Sequence, residues 1–250
     1  MLDELRQHLA RLQKPAGLVE GPAVLPLGIP AVDGVLGGGL ACGAVHEIAA
    51  VSEAHLPAAT GFALGLAALA SGEKHLLWIA EDMALLESGA PYGAGLEAFG
   101  LAPRRLLSVS VAHRHDLMWA MEEALRCRAV AVAIGEVRHG ALDAVAVRRL
   151  SLAASETGAL AFLLRAQPAH DASTAATRWS VEAAVSNRKT FGHPFEFGAP
   201  RFAAHLTRNR RGPSGSWILE WRDTDERFIL AAHAEPVAAP LRHRSHQKVA

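Results

Sequence analysis

The sequence predicts an α/β fold, a mainly parallel sheet flanked by helices with antiparallel strands added at the C-terminal end, and three observations point to it. From residue 44 to about 164, short and nearly uninterrupted apolar runs alternate with longer helical stretches, as strands buried on both faces and their crossover helices do. After residue 175 the pattern becomes an alternation of apolar and polar side chains, the mark of strands with one solvated face. A chain of 250 residues, 50% hydrophobic and 20% charged, can build one large core, and that balance excludes a disordered chain.

Along the chain, Leu2, Leu5, Leu9 and Leu12 recur at spacings of three and four with polar residues between them. Residues 1–14 therefore read as a short amphipathic helix, marginal alone, whose leucine stripe must rest on this core or on another chain. Lys14-Pro15-Ala16-Gly17 stops it, and residues 15–24 read as a linker. The core spans 25–230. Its strands are expected at 44–49, 75–80, 106–111, 129–134 and 159–164, with helices at about 56–71, 82–99, 116–128 and 141–157 between them. Gly158 stands where a helix C-cap belongs. The apolar stretch 56–70 is too short for a bilayer span and is expected as a buried helix. Trp179, Val181, Ala183 and Val185 alternate with polar or small residues as an added antiparallel strand. Phe202, Ala204 and Leu206 then pair with Trp217, Leu219 and Trp221 across a Gly212-Pro-Ser-Gly turn, and 227–230 adds a last strand. Residues 231–250 have no apolar period and read as a loose, mildly basic tail.

Twenty-five Lys and Arg balance twenty-five Asp and Glu, so no global positive field announces nucleic acid. Cys42 and Cys127 are too few to staple the fold and lack zinc spacing, which suggests a reducing compartment. The start of the chain lacks a basic region followed by an apolar run, so a cytoplasmic location is expected.

Gly37-Gly38-Gly39 with Gly43 suggests a phosphate loop, but the glycines precede a strand, whereas such a loop must follow a strand and open a helix. They read as a tight backbone turn. The place for a phosphate loop is 50–57, Ala-Val-Ser-Glu-Ala-His-Leu-Pro. Where the loop pattern requires glycines, a lysine for the phosphates and a hydroxyl for magnesium, this chain has Ala50, His55, Leu56 and Pro57, and Glu53 adds negative charge.

Around that loop the chain resembles the RecA family. The resemblance lies in Leu27-Gly-Ile-Pro-Ala-Val-Asp33, Leu36-Gly-Gly-Gly-Leu-Ala-Cys-Gly43 and Val45-His-Glu-Ile48, then in Trp78-Ile-Ala-Glu81 and the helix and strand over 116–134. It implies a RecA-like core over roughly 25–230 without its nucleotide site. Glu81 is similar to the family's water-activating glutamate, and Gly135-Glu136 stands where the magnesium-binding aspartate is expected. More narrowly, the degraded loop, the Ala-Ile-Gly-Glu strand end, Thr177-Arg178-Trp179 and the 201–211 strand resemble the ImuA family of bacterial mutagenesis operons. That resemblance implies a non-catalytic accessory in damage-induced translesion synthesis, binding no cofactor or metal. Its implied partners are an inactive Y-family polymerase homologue, ImuB, and also RecA and an error-prone replicative-type polymerase. An ATPase acting through Glu81 and Glu136, and a division inhibitor like the RecA-like SulA, are the alternatives.

Leu2, Leu5, Leu9 and Leu12 are the first candidates for a partner contact, and the tail is the second. Arg208, Arg210 and Arg211, with Arg201 and Arg222, form the best local basic group for nucleic acid or, otherwise, an edge-strand guard against aggregation. The segment matching the RecA family's DNA loops, about 166–174, contains no Lys or Arg. His113, His115 and His139 could meet if the strand ends at 111 and 134 are neighbours, although loop histidines are more often solvated, as expected of His243 and His246.

Overall fold

The computed structural model describes residues 23–168, 173–186 and 198–231. The leucine stripe at 2–12 and the tail histidines lie outside them. The first described element is a two-residue strand, β1 (Val24–Leu25), paired antiparallel with β2 (Leu40–Ala41). Between them runs α1 (Pro30–Leu36), with its proline in the first turn and Gly37 closing it in the left-handed conformation at φ 71°. The Asp33 carboxylate fixes the approach to this helix by accepting from the N–H groups of Leu27, Gly28 and Ile29. Gly37, Gly38 and Gly39 all have positive φ, so the glycine cluster is the tight turn that the sequence suggests.

The remaining strands form one nine-stranded sheet in the order β11-β10-β9-β8-β3-β7-β6-β4-β5. They are β3 (Val45–Ala50), β4 (His75–Glu81), β5 (Leu106–Val111), β6 (Val130–Val137), β7 (Leu160–Arg165), β8 (Thr177–Ala184), β9 (Arg201–Asn209), β10 (Gly215–Arg222) and β11 (Arg227–Leu230). β3, β6 and β7 are buried along their whole length, which explains their largely apolar sequences. β8 differs from the expected antiparallel addition, because it runs parallel to β3 and antiparallel to β9. Its alternating pattern reports one solvated face, and solvation of a face does not fix strand direction. The antiparallel part begins with β9.

The apolar helix α2 (Leu56–Ser71) lies on one face of the sheet, with Phe62, Ala63, Leu66 and Ala67 fully buried. The Phe62 ring packs against Trp179, Phe202 and Phe228 at centroid distances of 5.4, 6.1 and 5.5 Å. Burying a ring of this size contributes about 2–3 kcal/mol. Gly65 lets the helix approach β11, since a Cβ there would lie 2.5 Å from the Phe228 ring.

On the other face, α5 (Arg114–Arg126) and α6 (Ala144–Thr157) cover Val45, Ile79, Ala133 and Leu163. The Asp143 side chain caps α6 by accepting from the Val145 N–H, and Gly158 closes it at φ 78°. The helix expected over 82–99 is broken into α3 (Asp82–Ser88) and α4 (Gly93–Glu97). Gly89, at φ 76°, ends the first piece, and Pro91, which has no N–H to give, separates the two.

Candidate functional site at the carboxyl ends of the parallel strands

The junction from β3 to α2 holds the four positions singled out in the sequence. Ala50 is fully buried as the last residue of β3. Val51 donates its N–H to the Val181 carbonyl, which ties the junction to β8. Glu53–His55 then form one 3-10 turn. His55 accepts the Ala183 N–H at Nδ1 (3.1 Å), which occupies that ring nitrogen with the backbone of β8. Leu56 is buried and Pro57 sits in the first turn of α2.

Next to this junction, β6 extends through Val137, so Glu136 lies within the strand and not at the strand end expected from the sequence. The alternation of the strand puts Glu136 on the α2 side, while Gly135 faces α5. Burial pushes the Glu136 carboxyl above its usual range, opposed by the Arg138 guanidinium, and Glu87 adds to the rise. Arg138 donates Nε–H to Glu136 at 3.1 Å, and its Nη1 faces Glu87 at 3.3 Å and Glu53 at 3.6 Å. One buried guanidinium thus holds three carboxylates from the 3-10 turn, the end of α3 and β6. Sequence reasoning missed Arg138. The available signal was its position two residues after Glu136, which places both on one face if the strand continues.

Glu81, the last residue of β4, lies 3.5 Å from Arg114 Nε. Asp82 opens α3 and accepts from the Ser110 hydroxyl, in agreement with an acidic helix N-terminus. The histidine grouping is not formed. Among the described residues the group with metal-ligand proximity is Glu53, Glu87 and His139, all exposed. His115 faces Asp116 at 3.4 Å on its own helix. Cys42 and Cys127 are free thiols, and burial raises the pKa of Cys42.

For the arginines from 208 to 211 the sheet order overturns the edge-guard alternative. β9 lies between β8 and β10, so none of them guards a sheet edge. Arg208 donates to the Ser173 carbonyl (2.9 Å), Arg210 to the Thr174 carbonyl (3.0 Å) and Arg211 to the Gly37 carbonyl (3.0 Å). Ser173 also donates to Glu47, which pairs with Arg178 at 2.7 Å. The segment before β8 carries no Lys or Arg of its own, and it receives Arg208 from β9 and Arg210 from just beyond it.

No family model matches the chain. It is 30% identical over 225 residues to Protein ImuA of Caulobacter vibrioides, in both strain NA1000 and strain ATCC 19089, a match that covers 82% of this chain and 86% of the relative. Among solved structures it is similar to the RadB recombinase, with a TM-score of 0.56 and 14% identity, covering 84% of this chain and all of that one. The second likeness is one of fold, and the fold is RecA-like.

Proposed function

The chain belongs to the ImuA family, and from that premise we propose that it is a non-catalytic accessory of damage-induced translesion synthesis. It acts through protein contacts in the cytoplasm. Its first partner is the ImuB-type inactive polymerase homologue, with RecA and the error-prone replicative-type polymerase as further members of the assembly.

The observation that supports this reading most is the strand-to-helix junction beside the parallel strand ends. In a RecA-like sheet a ligand phosphate would sit there, on free backbone N–H groups at the start of the helix. In this chain the junction is committed to internal contacts: Val51 and His55 to β8, Leu56 to the core and Glu53 to Arg138. Glu81 faces Arg114, which supports a structural part for this carboxylate over the activation of a water.

The test is co-purification of the tagged full chain from DNA-damaged cells, set beside equilibrium ATP binding by the same preparation. Recovery of the polymerase homologue without ATP binding is expected. ATP binding at micromolar Kd with no polymerase homologue recovered would overturn the reading in favour of a nucleotide-dependent enzyme.

A further inference from the structure

A cavity of about 430 Å³ opens beside the Glu53 turn, walled by Leu56, Pro57 and Leu64 of α2 and by Leu96 and Phe99 at α4. Cavities of this size bind apolar groups that can be held in one orientation by a few polar contacts. One donor lines it without an acceptor. Nη2 of Arg138 makes no hydrogen bond, whereas the Trp78 indole N–H is turned toward the Glu136 carboxylate. Both residues are more than nine-tenths buried. The charge around Arg138 is unbalanced, since it meets Glu53 at the mouth of the cavity, the buried Glu136 in its lining and Glu87 just outside it. The lip is also apolar, at the exposed Tyr92.

These features select an occupant. A phosphate or carboxylate would meet the carboxyl groups of Glu53 and Glu136, with Glu87 close behind, and one guanidinium already held by them, which is unfavourable in a partly desolvated site. A simple hydrocarbon would leave the Arg138 donor unsatisfied. A polypeptide offers an apolar side chain, a neutral carbonyl acceptor and a cation within a few residues.

We propose that this cavity docks a partner protein through a basic segment bearing one large apolar side chain. The side chain enters between Leu64 and Phe99, a backbone carbonyl of the segment accepts from Arg138, and a flanking Lys or Arg meets Glu53 and Glu87. The proposal rests on the protein-contact reading above and gives that reading a surface. The anchor in its pocket is the kind of contact that dominates interface energy, and the acidic rim supplies selectivity and encounter rate.

The test uses the full chain and two probes. One is a labelled twelve-residue peptide with a single Trp between pairs of lysines, read by fluorescence anisotropy beside a twin with glutamate in place of lysine. The other is the purified polymerase homologue. Gly95 lines the cavity, and a Cβ there would meet nothing within 4 Å, so Gly95→Trp fills the mouth without disturbing the packed side of α4. Glu53→Lys with Glu87→Lys reverses the rim and does not depend on that filling. The lysine peptide is expected to bind at least tenfold more tightly than its twin, and either variant is expected to weaken both probes tenfold or more, with the thermal transition kept in Gly95→Trp. If both variants bind the two probes as wild type does, or the lysine peptide does not bind, the proposal is overturned. If the peptide behaves as expected and the homologue fails to bind, the partner named above falls and the cavity proposal stands. A tenfold gain in peptide binding on Leu241→Asp would make this chain's own tail the occupant, and loss of self-association in Gly95→Trp would make it a second copy. Either result overturns the assignment to a partner protein.

Discussion

The Thr177 hydroxyl lies 2.8 Å from Nδ1 of the fully buried His46, at the centre of a hydrogen-bonded chain that joins β8, β3 and β2. Nε2 of His46 faces the Ala41 carbonyl at 3.0 Å. A carbonyl can only accept, so the proton belongs on Nε2, and Nδ1 then accepts from the Thr177 hydroxyl. The Thr177 oxygen in turn accepts the Trp179 indole N–H at 3.0 Å. Every polar atom of the chain is used with a neutral imidazole, and burial lowers the His46 pKa to about 4.

His46 therefore makes stability depend on pH. An unfolded histidine takes a proton near pH 6.5 and the folded one near 4, so the unfolded state binds more protons between those values. The stabilisation is fully present above 6.5 and is lost as pH falls toward 4, by about 3 kcal/mol. Glu136 opposes this trend, because its raised pKa contributes stability at low pH that disappears as pH rises through its folded value. Urea unfolding from pH 7.5 to 4.5 should show the fall, and His46→Gln should flatten it. An equal slope in both proteins would remove His46 as its source.

Much of the fold is legible in the sequence because burial on both faces leaves a mark that few other arrangements leave. The largely apolar runs of β3, β6 and β7, interrupted by His46, Glu47, Glu136 and Arg165, become the fully buried strands. The direction of β8 was not legible, since alternation reports the exposure of a face and not the partner strand. The candidate site was legible only as a position, the junction between β3 and α2. The junction residues Ala50, His55, Leu56 and Pro57 can be picked out from loop chemistry alone. Their actual contacts, and the gathering of Glu53, Glu87 and Glu136 on Arg138, depend on where the chain breaks between α3 and α4 and on β6 continuing past Gly135.

Gly135 is required by packing against α5. A Cβ at this position would lie 2.3 Å from Met121 Sδ and 3.0 Å from a Leu117 methyl. Gly135→Ala should cost about 1–3 kcal/mol in chemical denaturation, as overpacking of a tight core does. Restoring part of the stability by Met121→Ala in the same chain would locate the strain at this contact, and no rescue would place it elsewhere in β6.

Arg208 and Arg210 should behave as structural residues. Each donates to a backbone carbonyl of the segment that leads into β8. Replacing either by Ala is expected to cost about 1 kcal/mol and to speed hydrogen exchange of the amides near Ala175 and Ala176. Any DNA binding by the chain should change no more than with Arg222→Ala, an exposed control on β10. A selective loss of DNA binding with a flattened salt dependence would instead make them phosphate contacts.

The leucines at 5 and 9 separate a partner contact from a core contact. About three turns of leucine stripe are too short to hold a helix alone, so the stripe must rest on something. If it rests on another protein, Leu5→Asp with Leu9→Asp abolishes capture of the polymerase homologue and leaves the thermal transition nearly unchanged, because the described core closes without those residues around Phe62, Trp179 and Phe228. If it rests on this core, the same change exposes apolar surface and lowers the transition by several degrees, as loss of about 2 kcal/mol would. We expect the first outcome, with capture lost and the transition kept, and calorimetry beside a pull-down on one preparation distinguishes the two.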